Sequence, residues 1–266
     1  MIAIIGVGKM GEALLSGLLR AGRCPEEVAA VERVTERGEQ IAARYRVPLL
    51  SLTEAAKNAD TLLIAVKPQD MGTTLAEISG VVNSGQLVIS VAAGITTGFV
   101  ERSLGEDARI PVVRVMPNTP ALVGEGMSVI SPGAYAGSGH LEQAEELLRP
   151  AGEVVRLPES QQDAATALSG SGPAYVYLLA ETLIDAGVLV GMPRQAARVL
   201  VTQTIYGAAT MLRDSGEHPV LLREAVTSPG GTTAAAVAAL ESHGLRTAFA
   251  AAVEAARDRG RELGGA

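Results

Sequence analysis

The sequence predicts an α/β fold over residues 1–157, followed by an all-helical domain over residues 158–266. Up to about residue 157, short apolar runs rich in Val, Ile and Leu alternate with segments of helical periodicity. This alternation is typical of a parallel sheet with helices on its faces. From Pro158 onward, alanine-rich segments with helical spacing replace the strand-like runs. We therefore expect two domains that meet between residues 157 and 158.

Seven apolar runs are predicted to form strands, because they are short, rich in β-branched residues and bounded by turn-forming segments. The first five alternate with helical segments, and the last two are expected to extend the same sheet. The predicted strands are Ile2–Ile5, Val28–Val31, Thr61–Val66, Leu87–Val91, Val112–Val115, Met127–Ile130 and Val154–Leu157.

Hydroxyl side chains mark the expected starts of three helices in this domain. Thr35, Thr53 and the pair Thr96 and Thr97 each precede a segment of helical spacing. A hydroxyl at such a position accepts a hydrogen bond from a backbone N–H that the helix leaves unpaired. We therefore expect these threonines to cap two helices between the second and third strands and one helix after the fourth strand.

The helical domain carries mainly small side chains and few large ones. In one predicted helix, for example, the apolar positions are Val201, Ile205, Ala208 and Leu212. Such a surface lets backbones approach closely but fills little volume by itself. We therefore expect a second copy of the chain to complete the burial of this domain.

Composition narrows the classes of function. The net charge of -7 argues against a nucleic-acid partner, because such proteins carry basic surfaces. No apolar stretch approaches the length of a membrane span, and the chain opens on a strand-like run instead of a signal segment, so we expect a cytoplasmic protein. Cys24 is the single cysteine, and the three histidines are scattered. No metal site is expected.

A glycine motif follows the first predicted strand and opens a helix. Gly6 permits the tight turn, Gly8 lets the backbone approach a pyrophosphate, and Gly11 lets the helix pack close to the strand. The N-terminus of the helix then faces the negative charge of the ligand. This arrangement predicts a Rossmann-like dinucleotide-binding domain, with a cofactor-binding segment Gly6-Val7-Gly8-Lys9-Met10-Gly11.

The end of the second predicted strand carries opposing signals about the cofactor. Glu32 is suited to accept hydrogen bonds from the ribose hydroxyls of NADH, whereas Arg33 is suited to pair with the 2′-phosphate of NADPH or to stack on adenine. Arg37 lies about one helical turn beyond. Alternatively, these charges form a solvated helix entrance. The sequence leaves the choice between NADH and NADPH open.

Four further segments, together with the glycine motif, resemble those of pyrroline-5-carboxylate reductases. The resemblance covers essentially the whole chain, and the last two motifs are specific to that family among reductases. A departure is Glu32-Arg33, where many relatives have a small polar residue. The segments are Ala65-Val66-Lys67-Pro68, Met116-Pro117-Asn118-Thr119-Pro120, Leu168-Ser169-Gly170-Ser171-Gly172-Pro173-Ala174-Tyr175 and Ser228-Pro229-Gly230-Gly231-Thr232-Thr233.

The resemblance implies an enzyme that reduces L-1-pyrroline-5-carboxylate to L-proline with NADPH or NADH. It implies that Ala65, Val66, Lys67 and Pro68 line the cofactor. It also implies a homodimer built by the C-terminal helices, with larger rings of dimers in some members.

The resemblance also assigns the substrate-binding residues. The backbone of Gly230, Gly231 and Thr232 holds the substrate carboxylate, and the Thr233 hydroxyl binds the ring nitrogen as the catalytic contact. Asn118 and Glu159 resemble residues near the substrate. The residues themselves support a carboxylate site at Ser228–Thr233, because a proline and two glycines expose the backbone before a helix.

Other interpretations of these residues stay open. Asn118 is equally suited to an Asx-turn that shapes its loop, Glu159 to a solvated linker charge, and Ser228–Thr233 to a plain helix cap. A hydroxyacid dehydrogenase of the same plan is disfavoured, because it needs a lysine in its second domain and no lysine follows Lys67. A reductase of other cyclic imines and a non-catalytic dinucleotide sensor remain as alternatives.

Overall fold

The computed structural model describes residues 1–264 and contains one seven-stranded sheet followed by long helices. The strands are β1 Ile2–Ile5, β2 Val28–Val31, β3 Thr61–Ile64, β4 Leu87–Ser90, β5 Val112–Met116, β6 Gly126–Pro132 and β7 Gly152–Arg156. The helices are α1 Lys9–Arg20, α2 Thr35–Tyr45, α3 Leu52–Asn58, α4 Met71–Ile78, α5 Thr97–Leu104, α6 Ser138–Leu148, α7 Gln162–Ala165, α8 Gly172–Leu189, α9 Arg194–Ser215, α10 Pro219–Ala225, α11 Thr232–Ser242 and α12 Leu245–Gly264.

The sheet has the order β2-β1-β3-β4-β5-β6-β7, which confirms the predicted α/β class and the extension of the sheet by the last two strands. Strands β1 to β5 are parallel. Strand β6 runs antiparallel to β5, and β7 is parallel to β6. The segment 117–125 between β5 and β6 holds only a short 3-10 turn, Thr119–Val123, and is too short for the crossover that parallel pairing requires.

Both faces of the sheet are covered by helices. On one face, Ile4 packs in a cluster with Leu14 and Leu18 of α1. On the other face, Ile64 packs in a cluster with Leu75 of α4. Every residue of β1 to β4 is buried, as expected for parallel strands enclosed on two sides. The loops at the strand ends are therefore held by a rigid scaffold.

Two of the three predicted helix caps are wrong. Thr96 caps α5 as predicted, because its hydroxyl accepts a hydrogen bond from Phe99 N. Helix α3 is capped by Ser51 instead of Thr53, because Ser51 and Glu54 form a reciprocal capping box. Thr35 is the first residue of α2 and the preceding Val34 has no capping side chain.

Five of the predicted strands also end at slightly different residues. β5 ends at Met116 and β6 at Pro132, one and two residues beyond their predicted ends. β3 ends at Ile64 and β4 at Ser90, before the predicted ends at Val66 and Val91. The prediction ran too far because the first residues of the loops are still apolar. β7 ends at Arg156, one residue before the predicted end. These differences are within the usual uncertainty of strand ends.

The chain divides into two compact units. Unit 1 comprises Met1–Ser171 with the end of α12 from Ala256, and unit 2 comprises Gly172–Ala255. The last strand ends at Arg156, so unit 1 also includes α7 and a π-helical turn, Thr166–Gly170. The domain boundary at residues 157 and 158 stays a prediction.

Unit 2 consists of helices with little interior of their own. Among its residues, all of which lie in the described range, only Ala197 is buried. Helices α8 and α9 approach closely at this point, since a side chain on Gly187 would lie 3.1 Å from Ala197 Cβ. Large apolar side chains point into solvent, and Tyr177 and Leu178 are each 63% exposed. Within residues 1–264, no helix has the length and apolarity that a membrane span requires.

Candidate functional site

The predicted cofactor residues converge at the carboxyl edge of the sheet. The glycine loop follows β1, and Ala65–Pro68 follows the adjacent β3. Gly6 N donates to Val31 O of β2 at 2.8 Å, and Ala65 N donates to Ile5 O at 2.7 Å. The two strands that follow β1 in sequence lie on its opposite sides, β2 on one and β3 on the other. The carboxyl edge between β1 and β3 is therefore a topological switch point, where open α/β sheets bind ligands.

Each glycine of the motif meets a distinct spatial requirement. Gly6 has a φ of +89°, and a Cβ there would lie 3.0 Å from the Ala65 carbonyl. A Cβ on Gly11 would collide with the carbonyl oxygen of Gly6. A Cβ on Gly8 would meet no protein atom within 4 Å, so the space beside Gly8 is open. The loop therefore leaves room for a group to approach its backbone at Gly8.

The first turn of α1 presents backbone donors to the same space. Gly8 is the N-cap residue and has no side chain with which to cap the helix. The N–H groups of Lys9, Met10 and Gly11 therefore have no partner within the helix. Such donors at a helix N-terminus bind phosphate groups, so this edge fits the pyrophosphate of a dinucleotide.

The peptide groups on both sides of Val7 are fixed by charged side chains. Val7 N donates to Glu32 Oε2 at 3.0 Å, and Arg37 Nε donates to Val7 O at 3.1 Å. The second oxygen of Glu32 accepts a hydrogen bond from Val34 N at 3.1 Å. We call Glu32 and Arg37 the Val7 clamp. The clamp thus holds both peptide groups of Val7 through side chains of the protein itself.

Glu12 of α1 anchors the arginine of this clamp. Its carboxylate accepts hydrogen bonds from Arg37, from Arg44 at 2.8 Å and from Tyr45 Oη at 2.9 Å. Burial by itself would raise the pKa of Glu12, but the hydrogen bonds from Arg37 and Tyr45 and the charges of Arg37 and Arg44 lower that pKa below its ordinary value. Glu12 thus stays ionised and ties α1 to α2. Sequence reasoning missed it, because nothing in the motif distinguishes it from a solvated glutamate.

The remaining predicted cofactor residues with charged side chains are exposed. Lys9 begins α1, and Lys67 precedes the 3-10 turn Pro68–Asp70. Arg33 is 80% exposed, and its guanidinium lies 3.5 Å from Asp70 Oδ1. Val66 packs against the position of Gly6, because a Cβ there would lie 3.1 Å from Val66 Cγ1.

Asn118 joins three segments of unit 1. Its Nδ2 donates to Ser169 O at 3.0 Å, and its Oδ1 accepts from Met127 N at 2.8 Å. Ser169 belongs to the π-helical turn, where the next residue, Gly170, packs against Met116, since a Cβ there would lie 2.7 Å from Met116 Cε. Each end of the Asn118 amide has a backbone partner, which favours the loop-shaping alternative over substrate binding.

Glu159 closes the N-terminus of α5 and pairs with a buried arginine. Its carboxylate accepts from Thr97 N at 2.8 Å, from Thr97 Oγ1 at 2.6 Å and from Arg114 at 3.2 Å. Arg114 is 7% exposed and lies 3.8 Å from Asp163 as well. Glu159 is thus no solvated linker charge, and its contacts favour a positioning role. The signal that sequence reasoning missed is Arg114, a charge inside an apolar strand that requires a buried partner.

The predicted carboxylate site lies in unit 2, at the start of α11. Gly230 has a φ of +69°, and Gly231 N donates to Ser228 O at 3.0 Å. Gly231 is the N-cap residue and supplies no side-chain cap. The N–H groups of Thr232, Thr233 and Ala234 are therefore available to an anion. Thr233 is half-buried in this turn.

Comparisons with known proteins identify the family of the chain. A family model described as pyrroline-5-carboxylate reductase dimerisation matches residues 159–263, and one described as NADP oxidoreductase, coenzyme F420-dependent, matches residues 1–94. The pyrroline-5-carboxylate reductase of Corynebacterium melassecola is 46% identical and covers 99% of this chain and 98% of its own. That of Mycobacterium leprae is 44% identical and covers 98% and 96%.

Solved structures are similar over the same length. The pyrroline-5-carboxylate reductase of Coxiella burnetii superposes with a TM-score of 0.94 at 35% identity and covers 98% of this chain and 97% of its own. The Plasmodium falciparum pyrroline carboxylate reductase with NADP bound gives 0.85 at 33% identity, covering 99% and 97%. A Mycobacterium tuberculosis 3-hydroxyisobutyrate dehydrogenase, at 14% identity and a TM-score of 0.53, shares the fold alone. With relatives above 40% identity over nearly the whole of both chains, this chain belongs to the pyrroline-5-carboxylate reductase family.

Proposed function

We propose that the protein reduces L-1-pyrroline-5-carboxylate to L-proline with NAD(P)H, the last step of proline biosynthesis. The observation that carries this proposal is the glycine loop with its uncapped helix at the switch point of the sheet, in a chain similar to these reductases over its full length. When bound, NAD(P)H supplies a hydride to the ring carbon beside the imine nitrogen. The protein's own task is then to position the reactants.

Unit 1 holds the cofactor in this proposal. The free N–H groups at the start of α1 bind the pyrophosphate, and the open space at Gly8 admits it. The Val7 clamp keeps these donors in place, so little order has to be gained on binding. The loop Ala65–Pro68 lines the same edge, and Lys67 contributes to binding and not to proton transfer.

Unit 2 supplies the groups that hold the substrate. The backbone N–H groups at Thr232 and Thr233 bind the carboxylate, and the positive end of α11 favours its charge. The Thr233 hydroxyl hydrogen-bonds the ring nitrogen and is the catalytic contact. Because a protonated imine already attracts a hydride, no strong general acid is needed. Glu159 and Asn118 position their loops in this scheme instead of touching the substrate.

The protein forms homo-oligomers, and we propose that the basic unit is a dimer built by the helices of unit 2. The exposed apolar side chains of these helices require a cover, and a second copy supplies it. Larger rings of such dimers are also proposed, by analogy with the family. We further propose a cytoplasmic location, where reduced nicotinamide cofactors are regenerated.

The test is the decay of reduced-nicotinamide absorbance when the purified protein meets L-1-pyrroline-5-carboxylate, measured separately with NADH and NADPH. We expect decay that depends on both enzyme and imine, with proline as the product. Faster turnover of another cyclic imine would show that the enzyme is a reductase with a different substrate. Cofactor binding without turnover of any cyclic imine would replace it with the dinucleotide-sensor alternative.

A further inference from the structure

We propose that this protein binds the adenosine part of NADH in preference to that of NADPH, and that the carboxylate of Glu32 sets the preference. Use of the cofactor in catalysis rests on the proposed function, whereas the binding preference does not need a substrate. Glu32 is the first residue after β2, at the edge where β1 ends in the glycine loop. In this fold, that position faces the adenosine ribose.

Both oxygens of Glu32 are anchored on the backbone. One accepts from Val7 N and the other from Val34 N, at 3.0 and 3.1 Å. Moving the carboxylate aside would leave two N–H groups unpaired, one of them on Val7, which is fully buried. The charge is therefore fixed at this place. Each carboxylate oxygen has a further lone pair with which to accept a hydrogen bond from a ribose hydroxyl.

A 2′-phosphate at the same place would meet unfavourable electrostatics. It brings only acceptor oxygens and up to two negative charges, so it gains nothing from the Glu32 carboxylate and is repelled by it. A carboxylate with other rotamers available would turn away into solvent. The hydrogen bonds from Val7 N and Val34 N hold the Glu32 carboxylate in place.

The nearby cations do not reverse this balance. Arg37 is one of two arginines suited to a 2′-phosphate, but its guanidinium is held by Val7 O and by the ionised Glu12. Arg33 is the other, and it is 80% exposed and shares its surroundings with Asp70. An exposed arginine attracts an anion only weakly through water. Lys9 lies at the start of α1, where it favours the pyrophosphate that both cofactors share.

The first measurement is calorimetric titration of the full-length protein with NAD⁺ and with NADP⁺ at low ionic strength. We expect the Kd for NADP⁺ to be about tenfold higher or more, which corresponds to about 1.4 kcal/mol. The ratio falls as salt is added, because exposed charges are screened. Equal affinity, or tighter binding of NADP⁺, would overturn the proposal.

The variants Glu32→Gln and Glu36→Gln separate the specific charge from a general one. Both remove one negative charge from the same region, but Glu36 is an exposed residue in the first turn of α2. We expect Glu32→Gln to tighten NADP⁺ binding about tenfold while NAD⁺ binding weakens severalfold, and Glu36→Gln to leave the ratio unchanged. An equal shift of the ratio in both variants would contradict a role specific to Glu32.

Arg33→Ala tests the competing residue. We expect this variant to weaken NAD⁺ and NADP⁺ to a similar extent, because Arg33 contributes mainly at the adenine. A loss confined to NADP⁺ and larger than about tenfold would show that Arg33 outweighs Glu32 and would overturn the proposal. These titrations contain no imine, so a protein that shows the expected ratio but no turnover refutes the proposed reaction and not this inference.

Discussion

Unit 1 and unit 2 differ in where their apolar side chains lie. In unit 1, the sheet is enclosed on both faces, and strands β1 to β4 are buried along their whole length. In unit 2, one alanine is buried, while side chains such as Leu178 and Leu189 are 63% and 87% exposed. Unit 1 thus has its own hydrophobic core, whereas unit 2 has almost none and, in the proposed dimer, obtains its burial from a second copy.

The largest expected effect comes from placing a charge on the exposed face of unit 2. Leu178→Lys should abolish association, because a lysine in an apolar interface loses its hydration without gaining a partner. Light scattering at micromolar concentration should then give the mass of one chain, with a lower melting temperature. The matched control is Val155→Lys on the edge strand β7, where the residue is 44% exposed and the mass should not change. If the wild-type protein also has the mass of one chain, unit 2 does not need a second copy and the proposed difference between the units is wrong.

The next largest effect is expected in the core of unit 1. Leu63 of β3 is fully buried, and Leu63→Ala should lower the free energy of unfolding by about 2–5 kcal/mol through lost burial and a cavity. Because this core lies within one chain, the loss should not depend on protein concentration in chemical denaturation. A concentration-dependent loss would mean that unit 1 also requires the partner.

Two glycines of the cofactor loop should separate folding from binding. Gly11→Ala places a Cβ against Gly6 O and should destabilise the protein by about 1–3 kcal/mol. Gly8→Ala meets no protein atom, so its stability should change by less than about 1 kcal/mol while NAD⁺ binding weakens tenfold or more. Thermal unfolding and calorimetry measure the two effects. Undiminished NAD⁺ binding by Gly8→Ala would place the pyrophosphate elsewhere.

The Glu12 network should give a smaller, pH-dependent effect. Glu12→Gln removes an acceptor shared by Arg37, Arg44 and Tyr45, and should cost about 1–2 kcal/mol at pH 7. Because the folded-state pKa of Glu12 is lowered, its contribution is complete above the ordinary value of 4.5 and is lost as pH falls through the folded-state pKa. Denaturation from pH 7 to pH 3 should show the variant and wild type converging. A difference independent of pH would contradict an ionic origin.

The smallest expected effect concerns the turn in unit 2. Thr233→Ala should lower kcat by about fivefold to tenfold, the equivalent of one hydrogen bond of about 1 kcal/mol or somewhat more. The Kd for NAD⁺ should be unchanged, because the proposed cofactor contacts lie in unit 1. Ser242→Ala, at the other end of α11, serves as the control. An unchanged kcat would assign the contact to the backbone N–H groups alone.

The sequence predicted the sheet and its helices well, because periodicity and glycine placement are local signals. It did not predict the reversed direction of β6, since direction depends on pairing with β5. The length of segment 117–125 was nevertheless a usable signal. The cap of α3 could also have been predicted from the sequence, because Ser51 and Glu54 have the spacing of a capping box.

The contacts of the predicted site residues were beyond sequence reasoning. Asn118 and Glu159 looked equally suited to a ligand and to a structural role, because an amide or a carboxylate serves both. Their partners, Ser169 and Arg114, are 51 and 45 residues away in sequence. Only the folded chain shows that these side chains have partners within the protein. The same holds for Arg37, whose position beyond Glu32 gave no sign that it binds Val7.

The Val7 clamp also bears on how quickly a cofactor is captured. A loop that samples many shapes must wait for the productive one, so its association rate is reduced by the fraction of time spent in that shape. Here both peptide groups of Val7 are hydrogen-bonded to side chains of the protein itself. A dinucleotide can then bind at its first encounter with the loop. Differences in affinity between cofactors are therefore expected to arise mainly from how long each one stays bound.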